Sequence, residues 1–341
     1  MRAAKLILIL LCTWCFATLS YADPVADPLP SWNVGPTKTS IIDFVHAVTD
    51  EASPSYVQPS DRIATFDNDG TLWVEYPMYT QFIFALQRVK ELAPQHPEWK
   101  DKPPFSAIIS GDKSAMEKMT MHDVEQLLAV THSGMSVEEF QKILINWLVA
   151  AKDPHFNRLY TQLVYQPMLE VMSYLRKNNF KIYIVTGGGQ DFVRAYAQPT
   201  YGVAPEEVVG STEKTKYGYA NGVPTLTKLP EVLFIDDHAG KPEAINLFIG
   251  KKPIIAFGNS DGDQQMLEWT QSNSGKATLM LLVHHDDAAR EFSYGPKSKV
   301  GTFSDALMQE AVQKKWHVIS MKDDWKVIFP VVSIASQDQG K

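Results

Sequence analysis

Thiols are almost absent from this chain. Its two cysteines, Cys12 and Cys15, both lie near the start. Once an N-terminal leader is removed, neither a disulfide nor a cysteine nucleophile enters the argument. Basic runs are missing as well. Asp and Glu number 39 against 32 Lys and Arg, for a net charge of −7. A chain without clustered cations lacks the means to neutralise a phosphate backbone, which argues against nucleic acid and for small molecules as partners. No internal repeat or low-complexity segment is present. The longest apolar stretch, Leu6 to Leu19, is too short for a comfortable membrane span.

That stretch is informative in another way. Arg2 and Lys5 precede it and Ser20-Tyr21-Ala22 follow it, the charged region, apolar region and small-x-small site of a secretory signal peptide. Residues 1–22 are therefore expected to be cleaved after Ala22, leaving a periplasmic or secreted protein with no membrane contact. The alternative is an uncleaved anchor; a lipoprotein is disfavoured because bulky Leu11 and Trp14 precede the cysteines. Losing Arg2 and Lys5 takes the net charge to −9. Roughly 320 residues remain, enough for one large domain and a smaller one. Within an N-terminal segment, 23–60, Ser40 is expected to cap a short helix with Ile41, Ile42, Phe44, Val45 and Val48 on its apolar face. The tail, 331–341, reads as polar and frayed.

The chemistry begins at residues 63–71, Ile-Ala-Thr-Phe-Asp-Asn-Asp-Gly-Thr. Alternate residues of a strand share a face, so Asp67 and Asp69 leave the apolar run on the same side. Carboxylates that close repel unless a cation sits between them. Gly70 permits a tight turn, and Thr71 adds a hydroxyl and an amide. The stretch suits Mg²⁺ and a phosphate. Downstream, Ile182 to Val185 form a second apolar strand that delivers Thr186 and Gly187-Gly188-Gly189. Gln190 to Ala197 then read as a helix closed by Pro199. Strand, hydroxyl, glycines and helix start together present N–H groups and a positive dipole end to an anion. Lys241 precedes Pro242 at another helix start, where a cation is out of place on dipole grounds unless it meets a phosphate. A last strand, Ile254 to Phe257, leads into Gly258-Asn259-Ser260-Asp261-Gly262-Asp263 and then Gln264-Gln265-Met266-Leu267.

In this order the four elements resemble the motifs of the haloacid dehalogenase-like hydrolase superfamily, in a phosphoserine-phosphatase-like, exported form. The resemblance spans most of residues 61–285. It implies an α/β fold, a Rossmann-like parallel sheet core with a helical cap inserted after the first motif. The core is expected over 61–76 and 165–330, the cap over 77–164. It further implies a Mg²⁺-dependent phosphomonoesterase acting on a small-molecule phosphate ester. Asp67 would be the nucleophile that forms an aspartyl phosphate, and Asp69 the acid and base. Thr71, Thr186, Gly187 and Lys241 would hold the phosphoryl oxygens. The metal set would be Asp67, Asp69 through its backbone carbonyl, Asn259 and Asp263.

The family pattern has an acid where Asn259 stands. A carboxamide lowers the charge of the metal shell, so weak Mg²⁺ binding and its tightening by Asn259→Asp are expected. A shift of the loop by two residues would make Asp261 the ligand instead. The presence of Asp69 argues for phosphoryl transfer over carbon–halogen cleavage. The remaining alternatives are a phosphotransferase or mutase, and a non-catalytic protein that binds a phosphoryl ligand.

Cap helices are expected at Tyr79 to Leu92, Lys113 to Val130, and Val137 to Ala151 with Ser136 and Glu139 as a capping box. A helix over Met168 to Lys177 returns the chain to the core, and a hairpin lies near Gly218 to Thr227. His284-His285-Asp286-Asp287 read as exposed turn residues ahead of a second metal site. Trp73, Tyr76 and Tyr79 read as packing ahead of a substrate cage. Asp236 and Asp237 are expected to cap the helix that carries Lys241. Glu75 stands near the place where phosphoserine phosphatases read the substrate's ammonium group, one residue short. This implies a preference for amino- or choline-bearing esters.

Overall fold

All four residues of Ile63–Phe66 (β1) are buried, as in a strand covered on both faces. In the computed structural model, which describes residues 26–331, β1 lies in the middle of a seven-stranded sheet. The other strands are β2 (Lys152–Asp153), β3 (Arg158–Leu159), β4 (Lys181–Gly189), β5 (Val208–Ala220), β6 (Val223–Phe234), β7 (Ile255–Gly258), β8 (Leu279–His284) and β9 (His317–Ser320). The sheet order is β6-β5-β4-β1-β7-β8-β9, and β2 pairs with β3 alone. Every neighbouring pair in the large sheet is parallel except the β5–β6 hairpin.

Among the described residues twelve α-helices accompany the sheet: α1 (Pro36–Thr49), α2 (Thr80–Leu92), α3 (Phe105–Ser110), α4 (Lys113–Met116), α5 (Met121–His132), α6 (Val137–Leu148), α7 (Gln166–Lys177), α8 (Gln190–Tyr201), α9 (Gly240–Ala244), α10 (Gln264–Gln271), α11 (Asp305–Lys314) and α12 (Met321–Asp324). Alternate strand residues feed two cores. Ile184, Phe257 and Leu281 join the cluster that contains α7 and α8, while Val185, Ala256 and Leu282 join the one that contains α10 and α11. The expected Rossmann-like α/β core is therefore present. Phe66 pairs with Ile184 on one side and Phe257 on the other. This register brings the ends of β1, β4 and β7 to one level, and with them Asp67, Thr186 and Asn259.

Several elements differ from the sequence reading. Helix α1 starts at Pro36 with Gly35 at the cap, and the Ser40 hydroxyl donates back to the Pro36 carbonyl. Proline is suited to a first helical position, which moves the start forward by a turn. The single helix expected over Lys113 to Val130 is two, because Thr120 and Asp123 form a capping box that starts α5 afresh. Pro199 does not close α8. It sits in the last turn, and Gly202 at φ +66° ends the helix. Around its Asn221-Gly222 turn the hairpin is far longer than Gly218 to Thr227. It reaches the helices that follow β1: Gly134 N–H donates to the Lys228 carbonyl at 2.9 Å, and Lys228 N–H to the Met135 carbonyl at 2.9 Å.

No helix among the described residues is long and apolar enough to cross a membrane. The signal peptide expected over 1–22 and the tail from 332 onward lie outside the described residues.

Candidate active site

A cavity of about 290 Å³ opens over the ends of β1 and β4. Its floor includes Asp67, Asp69, Thr186, Gly187, Gly188, Lys241 and Ser260, and α2 and α5 close it with Phe82, Val124 and Leu128. The two aspartates of the first motif thus face one space, just beyond the end of β1.

Lys241 enters from the start of α9 and is fully enclosed. Its Nζ donates to Asp67 Oδ1 at 2.6 Å, Asp263 Oδ1 at 2.6 Å and the Val185 carbonyl at 3.1 Å. Burial works against its charge, but the carboxylates of Asp263, Asp67 and Asp236 more than offset this and hold its pKa above the ordinary lysine value. Burial and the neighbouring Asp263 push the Asp67 carboxyl well up, and the Lys241 ammonium opposes them. Asp263 Oδ2 accepts from the Asn259 and Ser260 amides at 2.9 and 3.1 Å. Both Asp263 oxygens therefore hold the lysine and the loop.

Asp69 is fixed by Trp73, whose Nε1 donates to its Oδ1 at 2.8 Å. Burial raises the Asp69 carboxyl above the usual range, against the Trp73 and Asn68 hydrogen bonds. A carboxyl raised in this way keeps its proton to higher pH, which suits a general acid. Trp73 itself is buried and stacked on Tyr196 at 4.5 Å. Thr186 accepts the Gly188 amide at 3.0 Å, and Gln81 from α2 accepts the Gly189 amide at 2.7 Å.

The Thr71 hydroxyl is buried outside the cavity lining, 3.2 Å from Asn259 Oδ1 and 3.5 Å from Asp67 Oδ2. It sits beside the oxygens of Asp67 and Asn259. Asp261 turns away and accepts the Ser304 amide at 3.0 Å. The loop therefore brings Asn259, without the two-residue shift, to the site. Among the described residues no three His, Cys, Asp or Glu side chains gather as a metal cluster. A carboxylate oxygen of Asp67 and the carboxamide oxygen of Asn259 do converge on one hydroxyl, and hard oxygens of this kind fit Mg²⁺.

Four other expectations change. Asp236 and Asp237 do not cap α9, which has no side-chain cap. Asp236 is buried, its two carboxylate oxygens find no well-formed hydrogen bond, and burial pushes its pKa up to about 7. Asp237 lines the cavity. His285 and Asp287 are buried rather than exposed. His285 Nε2 meets the Gly70 carbonyl at 2.8 Å and Nδ1 meets Glu291 at 3.1 Å, so the run braces the turn after the first motif. Tyr76 packs against Tyr294, whereas Tyr79 borders the cavity. Glu75 is buried, and its Oε1 accepts from Asn259 Nδ2 at 2.7 Å and Tyr294 OH at 2.7 Å. Burial pushes its carboxyl well above the usual range. Its partners are thus groups of the protein itself.

Sequence reasoning missed Gln81, Tyr294 and the cavity role of Asp237. Gln81 sits on the first turn of α2, just past the motif, and distance along the chain was its one available signal. Nothing near Tyr294 marks it.

The family model described as haloacid dehalogenase-like hydrolase matches residues 64–268. The chain belongs to that family. No curated protein matches it. Among solved structures it is similar to a protein of unknown function from Anaerococcus prevotii DSM 20548, at 16% identity and TM-score 0.54, covering 83% of this chain and 91% of that one. It is also similar to a protein of unknown function from Bordetella pertussis Tohama I, at 15% identity and TM-score 0.46, covering 76% and 98%. A third, a phosphoserine phosphohydrolase-like protein from Francisella tularensis subsp. tularensis SCHU S4, matches at 17% identity and TM-score 0.35, covering 66% and 88%. At this identity the first of them speaks for the fold alone.

Proposed function

We propose that this protein is a Mg²⁺-dependent phosphatase of small phosphate monoesters, acting through an aspartyl phosphate on Asp67. The observation that carries the reading is the pairing of two differently held carboxylates in one cavity. Asp67 lies against the Lys241 ammonium at 2.6 Å, which favours its ionised form, and Asp69 is set by the neutral Trp73 indole at 2.8 Å. A nucleophile and a proton donor with distinct surroundings are what phosphomonoester hydrolysis needs from a protein.

In this reading Asp67 Oδ attacks phosphorus while Asp69 protonates the departing alcohol oxygen. Asp69, now ionised, then takes a proton from the water that releases phosphate. Thr186, the Gly187 amide and Lys241 stabilise the charge on the transferring oxygens. Bound at Asp67 and Asn259, Mg²⁺ would screen the carboxylate from the phosphoryl charge.

The cavity also speaks to the substrate. Phe82, Val124 and Leu128 form an apolar wall opposite the phosphoryl end, and among the described residues Lys241 is the one cation in the lining. That lysine is already held by Asp67, Asp263 and the Val185 carbonyl, so a second anionic group on the ester finds no free cation and is disfavoured. Small esters with uncharged, partly apolar alcohols fit better than sugar bisphosphates. With Glu75 engaged inside the protein, they also fit better than the ammonium-bearing esters expected from its position.

The test is turnover of a panel of phosphomonoesters by residues 23–341, with Mg²⁺ and with chelator. Hydrolysis of phenyl phosphate above phosphocholine, lost in chelator and in Asp67→Asn, supports the reading. Tight phosphate binding without turnover would support the non-catalytic alternative. We also propose export to the periplasm, on the leader pattern of residues 1–22. Recovery of the unprocessed chain in the cytoplasmic fraction would overturn it.

A further inference from the structure

A carboxamide at a metal-ligand position has a weakness that a carboxylate lacks. Rotated by half a turn, it offers an NH₂ group in place of its oxygen, and an NH₂ group cannot ligate a cation. Asn259 is buried, and its surroundings settle the matter. Glu75 Oε1 receives Nδ2 at 2.7 Å and also the Tyr294 hydroxyl at 2.7 Å, so this oxygen acts as an acceptor. On the other side the Thr71 hydroxyl donates to Oδ1 at 3.2 Å, and Asp67 Oδ2 lies 3.5 Å from that same hydroxyl. The oxygen of Asn259 therefore faces Asp67.

Glu75 is itself pinned. Tyr294 OH donates to the same Oε1 at 2.7 Å, and the Tyr294 ring is stacked on His285 at 4.4 Å and on Tyr76 at 4.7 Å. Two glycines leave room for the contact. A Cβ on Gly70 would lie 2.1 Å from Asn259 Nδ2 and 2.3 Å from Glu75 Oε1, and one on Gly301 would lie 1.7 Å from Glu75 Oε1. Both glycines have positive φ, +76° and +58°.

We infer that Glu75 is a positioning residue that orients the oxygen of Asn259 toward the cation. Groups behind a metal ligand orient it and tune its affinity. This reverses the expectation that Asn259→Asp tightens Mg²⁺, since that change alone sets two buried carboxylates 2.7 Å apart. The inference rests on the proposed reading only in placing a divalent cation at Asp67 and Asn259.

The experiment is calorimetric titration of Mg²⁺ and Mn²⁺ into residues 23–341 without substrate, with circular dichroism as the check on folding. Glu75→Gln should weaken the cation about 10-fold or more. Asn259→Asp alone should not tighten it. Exchanging the two groups, Glu75→Gln with Asn259→Asp, keeps one amide, one carboxylate and the total charge, and should return the Kd to within about 3-fold of wild type by this second-group logic. If Asn259→Asp does not fold alone, the comparison of wild type, Glu75→Gln and the exchange variant still decides. An exchange variant as weak as Glu75→Gln overturns the inference, as does an unchanged Kd in Glu75→Gln. A wild type that binds no divalent cation overturns this inference together with the Mg²⁺-dependent reading. A wild type that binds normally with no recovery on exchange overturns this inference alone.

Discussion

Asp236 offers the sharpest test of the electrostatics beneath the site. It follows β6, is fully enclosed, and has no well-formed hydrogen bond to either carboxylate oxygen. Burial raises its pKa from 3.8 to about 7, resisted by Lys241 and by the Thr186 backbone and assisted by Asp237 and Asp263. The span from 3.8 to about 7 corresponds to about 4 kcal/mol, at ~1.4 kcal/mol for each tenfold change. The sign comes from proton counting. Between these values the folded state holds a proton that the unfolded state has lost. The contribution is therefore complete below 3.8, declines as pH rises, and is gone above about 7. Asp236→Asn removes the titration. It leaves in its place a buried amide with few partners, a cost of ~1–3 kcal/mol that does not vary with pH. Urea unfolding of both chains at pH 5 and pH 8.5, in chelator, gives the comparison. Part of the decline has already occurred by pH 5, so the variant should gain about 2.5 kcal/mol relative to wild type between these two conditions. A relative gain below ~1 kcal/mol would show that Asp236 is solvated or paired, and would refute the reasoning.

Asp67→Asn should abolish phosphomonoester turnover, and retention of wild-type rates would remove it as nucleophile. Asp69→Asn should lose most of kcat while cation affinity by titration stays near wild type. Because the Asp69 carboxyl is raised and must be protonated to act, wild-type kcat should persist above the usual carboxylate range and fall as pH rises further, a limb that the variant lacks. Gly70→Ala places a Cβ 2.1 Å from Asn259 Nδ2 at a φ of +76°, so kcat/KM should fall by about 100-fold or more, read in the same turnover assay. Lys228 is buried between Asp191 and Glu213. Lys228→Met leaves both carboxylates without their cation and should cost about 3 kcal/mol in urea unfolding, and a change below ~1 kcal/mol would mean that the hairpin anchor is solvated.

Local patterns along the chain mark the strands and the residues that leave their ends. Runs such as Ile63 to Phe66 and Ile182 to Val185 can be little else than buried parallel strands, and short-range chemistry sets the role of the residues just beyond each run. Asp67, Asp69, Thr186 and Lys241 were legible because each lies next to an element boundary that local rules mark: a strand end, a glycine turn, a helix start before proline. The helix boundaries were less so. The break at Thr120 and the run of α8 past Pro199 depend on a capping bond and on a glycine at positive φ, which a hydrophobic pattern does not record. What the other residues do depends on contacts made in the folded chain. Gln81 meets Gly189, Tyr294 meets Glu75 and Lys228 meets Asp191 across separations in which sequence spacing carries no distance information. Glu75 was visible as an acid near the motif. Its work depends on an amide that β7 delivers and a phenol from the loop after β8, and those three groups come together only because the sheet sets β1, β7 and β8 side by side.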